Sequence, residues 1–277
     1  MIARIIIILV LIGFYSCRPE EPITIDELVE VPKGDLLFSG SATVPRLIGR
    51  DSLLIYAKTI SQIPYSEHER WFIFDYKNEL RHDLYFIPPS TKEIDIRNGN
   101  TIYASGYKSL LITSGKDTIV FSEIRNPSFN NEGNAFVYCS RSSIYTYTIE
   151  NRSVNFVYQT DSSTYPSYPC WIGDKIYFEA DSAGTASHIY KISSSGGEPT
   201  KLTFGYVKDT HPRAWGEYVA FSRLLVYPYQ ILVNKDNTTI YSYSGYAFYP
   251  EISSDTLFYS SITAHGSGMN VYVTKWR

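Results

Sequence analysis

One phrase of about 40 residues recurs along this chain, and its recurrence limits the possible folds more than any other feature. The clearest copy spans residues 166–205, where Pro169 and Trp171 form an opening anchor. Two turns follow, at Gly173-Asp174 and at Gly196-Gly197. Short runs rich in Val, Ile, Tyr and Phe lie between these marks, and such runs are typical of β-strands. Four strands in a unit of this length make one propeller blade.

The phrase is found six times, each copy marked by an anchor residue that precedes an apolar strand by about seven residues. The anchors are Pro45, Asp95, Pro127, Pro169, Pro212 and Pro250. Helical periodicity is nearly absent after residue 32. The sequence therefore predicts an all-β domain over residues 34–277, a six-bladed β-propeller of four-stranded antiparallel blades.

The last copy is one strand short, because the chain stops just after its third strand. An extra strand at Leu36–Ser39 precedes the first anchor. An open ring would expose a strand edge that invites aggregation. We therefore expect this N-terminal strand to supply the outer strand of the last blade and to close the ring. The fourth strand of the first copy is predicted at Leu84–Phe86.

The unit at 166–205 resembles the blade of the TolB-like propeller family. The matching residues are Pro169, Trp171, Asp174, Ile189-Tyr190, Gly196-Gly197 and Leu202-Thr203. Pro127, Pro212 and Pro250 keep the opening of the phrase, whereas the Pro-Asp-Gly turn of the family is nowhere intact. The resemblance implies a six-bladed propeller in the bacterial envelope.

Residues 1–16 are typical of a secretory signal, with Arg4 followed by a short apolar run. The run is too short to cross a bilayer core of about 30 Å as a helix. It ends at Ser16-Cys17, which resembles a bacterial lipoprotein signal in which Cys17 is acylated, for example by palmitate. Ordinary cleavage and an uncleaved anchor are the alternatives. We expect a tether over residues 17–33 and an outer-membrane lipoprotein that faces the periplasm or the cell surface.

The charge of the chain argues against a nucleic-acid partner. Twenty-five Lys and Arg residues stand against 28 Asp and Glu, for a formal net charge of −3, and no basic run occurs. A nucleic-acid-binding surface would need a concentration of positive charge. The expected partners are the membrane, through the N-terminal lipid, and a protein or glycan ligand.

Inner strands of a propeller surround a central channel, so the residues just before the anchors should form a ring at one mouth. That ring is predicted to contain Val44, Ile94, Asn126, Tyr168, His211 and Tyr249, with Trp171 and Trp215 two or three positions inward. Aromatic and polar side chains around a channel suit a peptide or glycan, since they offer both stacking and hydrogen bonds. The predicted ligand-binding residues are Asn126, Tyr168, Trp171, His211, Trp215 and Tyr249. The same side chains could instead plug the ring.

The sequence contains none of the common catalytic signatures: no Gly-x-Ser-x-Gly, His-Glu-x-x-His or Cys-x-x-Cys motif, no P-loop and no dinucleotide-binding glycine motif. We predict no catalytic or metal-binding residue and no cofactor. The favoured function is a non-catalytic binding scaffold that holds a protein segment or glycan at the propeller mouth. The alternative is a carbohydrate-active enzyme, a lyase or hydrolase, that uses His211 at the same mouth.

Tyrosine and cysteine are assigned mainly to packing. Most of the 25 tyrosines fall on predicted strands, and we expect them to fill the space between blades, which leaves Tyr168 and Tyr249 for recognition. Cys139 and Cys170 lie in apolar strands, where we expect them to act as small buried apolar side chains. A disulfide between them is the alternative.

Overall fold

The computed structural model describes residues 35–277, apart from gaps at 39–41, 50, 63–64, 89–90, 92, 106–107, 162–163, 183–185, 226–228, 237 and 263–268. The predicted signal at 1–16, Cys17 and the predicted tether at 17–33 lie outside the described residues. The described part consists of strands and turns without a helix, so it contains no helix that could cross a membrane.

Six four-stranded antiparallel sheets form the blades, numbered here in chain order. Blade 1 consists of β2 (Ala42–Leu47), β3 (Ser52–Gln62), β4 (Tyr65–Asp75) and β5 (Leu80–Asp83). Blade 2 consists of β6 (Glu93–Arg97), β7 (Asn100–Ser105), β8 (Lys108–Ile112) and β9 (Thr118–Ser122). Blade 3 consists of β10 (Arg125–Phe129), β11 (Ala135–Ser140), β12 (Ser143–Thr148) and β13 (Ser153–Gln159).

The second half of the ring repeats this order of strands. Blade 4 consists of β14 (Pro166–Ile172), β15 (Lys175–Ser182), β16 (Ala186–Ser193) and β17 (Thr200–Lys201). Blade 5 consists of β18 (Lys208–Trp215), β19 (Tyr218–Leu224), β20 (Gln230–Lys235) and β21 (Thr238–Ser244). Blade 6 consists of β22 (Ala247–Ile252), β23 (Thr256–Ile262), β24 (Met269–Lys275) and the N-terminal strand β1 (Asp35–Phe38). The prediction of a six-bladed all-β propeller is confirmed.

Strand β1 pairs antiparallel with β24, the last strand of the chain, and is the outer strand of blade 6. Its side chain Leu37 packs against the apolar cluster between blades 1 and 6, which includes Phe72, Phe258 and Val271. The predicted closure by the N-terminal strand is therefore present. Blade 1 differs from its prediction, because its fourth strand is Leu80–Asp83. The turn before it is tight, with Asp75 accepting hydrogen bonds from the amides of Lys77 and Asn78.

The core is divided into six apolar clusters of described residues, and each cluster joins two neighbouring blades. Aromatic pairs cross from the second strand to the third in several blades. Tyr138 stacks on Tyr145 with ring centroids 5.6 Å apart, and Tyr259 stacks on Tyr272 at 5.8 Å. Seven of the described tyrosines are buried, namely Tyr103, Tyr138, Tyr147, Tyr177, Tyr243, Tyr259 and Tyr272. These tyrosines pack between the blades.

We predict that Leu37→Ala destabilises the ring, because it removes apolar contacts between β1 and the cluster of blades 1 and 6. A partly buried leucine should contribute about 1–2 kcal/mol, which lowers Tm by a few degrees in a chain of this size. Thermal unfolding followed by circular dichroism measures the effect. The matched control is Leu36→Ala, since Leu36 is 55% exposed and its loss should cost no more than about 0.5 kcal/mol. Equal melting temperatures for the two variants would contradict closure by β1.

Candidate functional site

Five of the six inner strands contain the same β-bulge, at the anchor proline. A proline has no amide hydrogen to donate to the neighbouring strand, and here one extra residue enters the inner strand at this point. The residue before each proline adopts a left-handed backbone with φ between 49° and 55°. These residues are Val44, Asn126, Tyr168, His211 and Tyr249. Non-glycine residues rarely take this conformation, so its recurrence is a defining property of the repeat.

The bulge leaves an amide without its usual partner in the sheet, and in four blades a side chain of the preceding blade accepts its hydrogen bond. Glu93 of blade 2 accepts from the Asn126 amide at 2.6 Å and from the Asn126 side-chain Nδ2 at 2.8 Å. The side-chain Oδ1 of Asn126 then accepts from the amide of Tyr168 in blade 4 at 3.3 Å. Buried amides need such partners, so these bonds hold neighbouring blades in register around the channel.

The same arrangement continues in the next two blades. Glu179 Oε2 accepts from the His211 amide at 3.1 Å, and Ser222 Oγ accepts from the Tyr249 amide at 3.2 Å. Glu179 and Ser222 lie on the second strands of blades 4 and 5. Glu179 pairs with Ser167 and Ser222 pairs with Thr210, and these are the last regularly paired residues before each bulge. Thr210 also donates its hydroxyl to Glu179.

Three side chains at the bulges come together in one aromatic cluster. The rings of Tyr168 and His211 have centroids 3.8 Å apart, and the ring of Tyr249 meets His211 edge-on at 4.7 Å. All three are partly buried, whereas Asn126 is buried. Because they come from three successive inner strands, they form a continuous polar aromatic surface at one level of the channel. We call Tyr168, His211 and Tyr249 the mouth cluster.

Burial keeps the mouth cluster uncharged at neutral pH. Burial and the nearby carboxylates of Glu179 and Glu93 raise the pKa of Tyr168 to about 12, and burial raises the pKa of Tyr249. Burial, together with Arg213, Arg46 and Lys208, holds the pKa of His211 well below its usual value. Two phenols that can donate and one neutral imidazole therefore stand side by side.

Hydrogen bonding also sets the tautomer of His211. The Thr210 hydroxyl lies 2.9 Å from Nδ1 of His211 and has a single proton, which it donates to Glu179. The hydroxyl oxygen must then accept from Nδ1–H, which leaves Nε2 of the imidazole as the acceptor.

Blade 2 departs from the predicted ring. Its anchor position is Asp95 in place of proline, and β6 pairs with β7 without a register shift. Ile94 is consequently not at a bulge; it is fully buried in the cluster between blades 1 and 2. Glu93 takes the position beside Asn126. The absence of a proline in this copy was the signal that could have revealed the difference.

The two predicted tryptophans lie apart from the mouth cluster. Trp171 and Trp215 line a cavity of about 60 Å³ in the channel, together with residues from all six inner strands. Tyr168, His211, Tyr249 and Asn126 do not line it. The structure thus divides the six predicted binding residues between two levels of the channel, four before the anchor prolines and two after them.

The charged residues of that cavity were not among the residues predicted from the sequence. The position directly after each anchor proline faces the channel, and it is occupied by Arg46, Ser128, Cys170, Arg213 and Glu251. Asp95 and Arg97 of blade 2 complete the charged lining. Because most of these residues directly follow an anchor proline, their position in the channel could have been predicted from the sequence.

Cys139 and Cys170 are buried and free, and burial raises the pKa of both thiols. Among the described residues no group of three or more His, Cys, Asp and Glu side chains has a geometry that could hold a metal ion.

No family model and no curated protein matches this chain. Solved structures share its fold. A putative TolB from Agrobacterium tumefaciens is 12% identical and has a TM-score of 0.58, with 84% of this chain and 90% of that one covered. TolB from Acinetobacter baumannii is 17% identical with a TM-score of 0.54, over 82% of this chain and 65% of that one. Oligogalacturonate lyase from Vibrio parahaemolyticus is 8% identical with a TM-score of 0.54, over 88% and 92% of the two chains. The predicted TolB-like propeller fold is confirmed.

We predict that Ser222→Ala destabilises the protein by about 0.5–1.5 kcal/mol, because it removes the acceptor of the partly buried Tyr249 amide. Chemical denaturation measures the free energy of unfolding. Ser260 is the matched control, since it is a fully buried serine at the corresponding position of β23 and its hydroxyl has no partner among the described residues. Ser260→Ala should be neutral or slightly stabilising. Similar losses in both variants would contradict a specific role for the Ser222 hydroxyl.

We predict that His211 makes stability fall at acid pH. Its folded-state pKa is depressed, so the unfolded chain binds the proton more readily, and stability decreases as the pH falls below about 6.5. One such proton contributes a slope of at most about 1.4 kcal/mol per pH unit. The free energy of unfolding between pH 5 and 8, measured by denaturation, should depend less steeply on pH in His211→Gln. His82→Gln, at an exposed side chain, is the matched control.

Proposed function

We propose that this chain is an envelope-anchored lipoprotein whose propeller is a non-catalytic binding scaffold, and that the mouth cluster receives a protein segment. The single observation that carries the proposal is the contact of Tyr168, His211 and Tyr249 across three blades. The signal-like residues 1–16 and Cys17 support attachment to the outer membrane through an N-terminal lipid, on the periplasmic or the outer side.

The chemistry of the mouth cluster suits recognition. Tyrosine provides a large rigid apolar face and a hydroxyl at low cost in side-chain entropy, which is why aromatic residues concentrate where proteins bind partners. Here the phenols remain protonated and can donate, and Nε2 of His211 can accept. An extended peptide presents both amide donors and carbonyl acceptors, so it matches such a mixed surface.

The backbone beneath the cluster is held before any ligand arrives. The amides of Tyr168, His211 and Tyr249 are each bonded to a side chain of the preceding blade. A surface that is already ordered loses little conformational entropy on binding. The bulges therefore favour a preorganised site, and they also mean that a ligand is recognised by the side chains rather than by these amides.

One observation favours the alternative, a carbohydrate-active enzyme that uses the mouth. A neutral imidazole with a free Nε2 can act as a general base. A lyase also needs a group that stabilises the charge formed on its substrate. The two rings that contact His211 are protonated phenols, and the guanidinium groups of Arg46 and Arg213 line the separate cavity, so the geometry supports binding better than catalysis.

We predict that replacing both Tyr168 and Tyr249 by alanine abolishes capture of a defined envelope partner. The experiment is crosslinking in envelopes, recovery of the tagged full-length chain and identification of the partner by mass spectrometry. Removing two aromatic contacts should weaken binding by a few kcal/mol, enough to lose recovery. Tyr206→Ala with Tyr85→Ala is the control, because both side chains are exposed and neither lines the cavity.

Equal recovery by the wild type and the mouth variant would contradict the binding site. Enrichment of a polysaccharide, rather than a protein, would identify a glycan ligand at the same mouth. Cleavage of an acidic polysaccharide by the wild type that disappears in His211→Ala would establish the enzyme alternative instead.

A further inference from the structure

The cavity below the mouth cluster carries an excess of positive charge. Its charged lining consists of three guanidinium groups, Arg46, Arg97 and Arg213, and two carboxyl groups, Asp95 and Glu251. Arg213 Nε lies 3.2 Å from Glu251 Oε2, and both side chains are only 9% exposed. The charges of Arg213 and Glu251 therefore cancel. The guanidinium groups of Arg46 and Arg97 remain in the lining with one carboxyl group, that of Asp95.

That remaining carboxyl group already has partners in the backbone. Asp95 Oδ1 accepts from the amide of Ile96 at 2.9 Å, and Oδ2 accepts from the amide of Phe129 at 2.7 Å. Asp95 thus lies close enough to attract Arg46 electrostatically while its oxygens are engaged by amides. The lining itself retains one positive charge in surplus, and Glu93, beside Asn126, acts on Arg46 from outside the lining.

Arg46 is the more buried of the two guanidinium groups outside the ion pair, and few of its donors have partners. It is 7% exposed, and its Nη1 donates to the carbonyl of Pro127 over a long 3.4 Å. Its Nε has no hydrogen-bond partner among the described residues, and neither has Nε of Arg97. A buried guanidinium with an unused donor costs free energy, so it marks a place where an acceptor would be stabilising. Burial and Arg213 lower the pKa of Arg46 to about 10, so the group remains charged at neutral pH.

We propose that this cavity is a binding subsite for a carboxylate group, held by Arg46 and Arg97. A carboxylate accepts two parallel hydrogen bonds from a guanidinium group and carries the single negative charge that balances the surplus. A phosphate would bring close to two negative charges. The volume of about 60 Å³ admits a carboxylate or a few water molecules but no whole sugar ring.

The remainder of the ligand would lie at the rim of the cavity. Trp215 is 41% exposed and Asn131 is exposed, so the cavity reaches solvent on their side. Trp171, also at this rim, offers an aromatic surface. Such a rim accepts either the chain end or acidic side chain of a peptide or the ring of a uronic acid. These are two sources of the same carboxylate chemistry.

The subsite is independent of the proposed mouth. Its lining contains none of Tyr168, His211 and Tyr249. Binding of a carboxylate should therefore persist in the double variant of Tyr168 and Tyr249, and failure of one proposal leaves the other testable.

The test is titration of the purified full-length chain with small carboxylates, followed by tryptophan fluorescence. Trp171 and Trp215 report on the cavity, while Trp71 and Trp276 are buried between blades and give a constant background. N-acetyl-dialanine is compared with its amide, and glucuronate is compared with glucose. We expect a saturable change with the acids, with Kd on the order of millimolar or tighter, and none with the neutral analogues. The more strongly bound acid identifies the source of the carboxylate.

Variants separate the subsite from general effects of charge. Arg46→Gln should weaken binding of the acids by about tenfold or more, since it removes a charge-assisted hydrogen bond. Arg97→Gln is a second variant at a less buried position, for the case that Arg46→Gln does not fold. The control is Arg141→Gln, at a guanidinium group whose side chain is 81% exposed and pairs with Glu123.

Three results would overturn the proposal. The first is the absence of saturation with every acid, in which case water alone occupies the cavity. The second is equal binding of an acid and its neutral analogue, or unchanged binding in folded Arg46→Gln and Arg97→Gln. The third is tighter binding of inorganic phosphate than of either acid, which would assign a different anion.

Discussion

The missing amide hydrogen of the anchor prolines is the constraint on which the channel depends. Each anchor proline coincides with a bulge, and the residue before it takes a left-handed backbone in five blades. The amide released there is bonded by the preceding blade at Asn126, Tyr168, His211 and Tyr249. Adjacent blades are therefore joined near the axis by directional hydrogen bonds, in addition to the apolar clusters farther out. The same bonds fix the side chains that form the mouth cluster.

Much of the architecture could be predicted because its causes are local in sequence. Alternating apolar residues and turn residues define strands within about 40 residues, and their repetition defines the blades. The predicted turn at Gly196-Gly197 is one example. Both glycines have positive φ, and a Cβ at Gly196 would lie 3.0 Å from the carbonyl oxygen of Val157 in the neighbouring blade. The need for β1 followed from the missing strand of the last copy.

The site was predicted less completely, because it depends on register and on contacts between blades. The one extra residue of a bulge changes which of Ile94 and Glu93 faces Asn126. The apolar periodicity of a sequence does not reveal whether a strand contains a bulge. The partners of Tyr168 and His211 lie 42 and 32 residues away in sequence, on other blades. Proximity of Tyr168, His211 and Tyr249 could be expected from the repeat, whereas the separation of Trp171 and Trp215 from them could not.

Blade 2 shows how one irregular repeat determines both levels of the channel. Asp95 replaces the anchor proline, so β6 keeps regular pairing with β7. Glu93 then faces Asn126 at the level of the mouth cluster. The same replacement puts a carboxyl group into the cavity, where it lies near Arg46 but bonds to the amides of Ile96 and Phe129. With a proline at this position, the cavity lined by Arg46 and Arg97 would have one fewer negative charge in a region of low dielectric, at a high cost in free energy. Asp95 thus offsets part of the positive charge of the cavity lining without neutralising it completely.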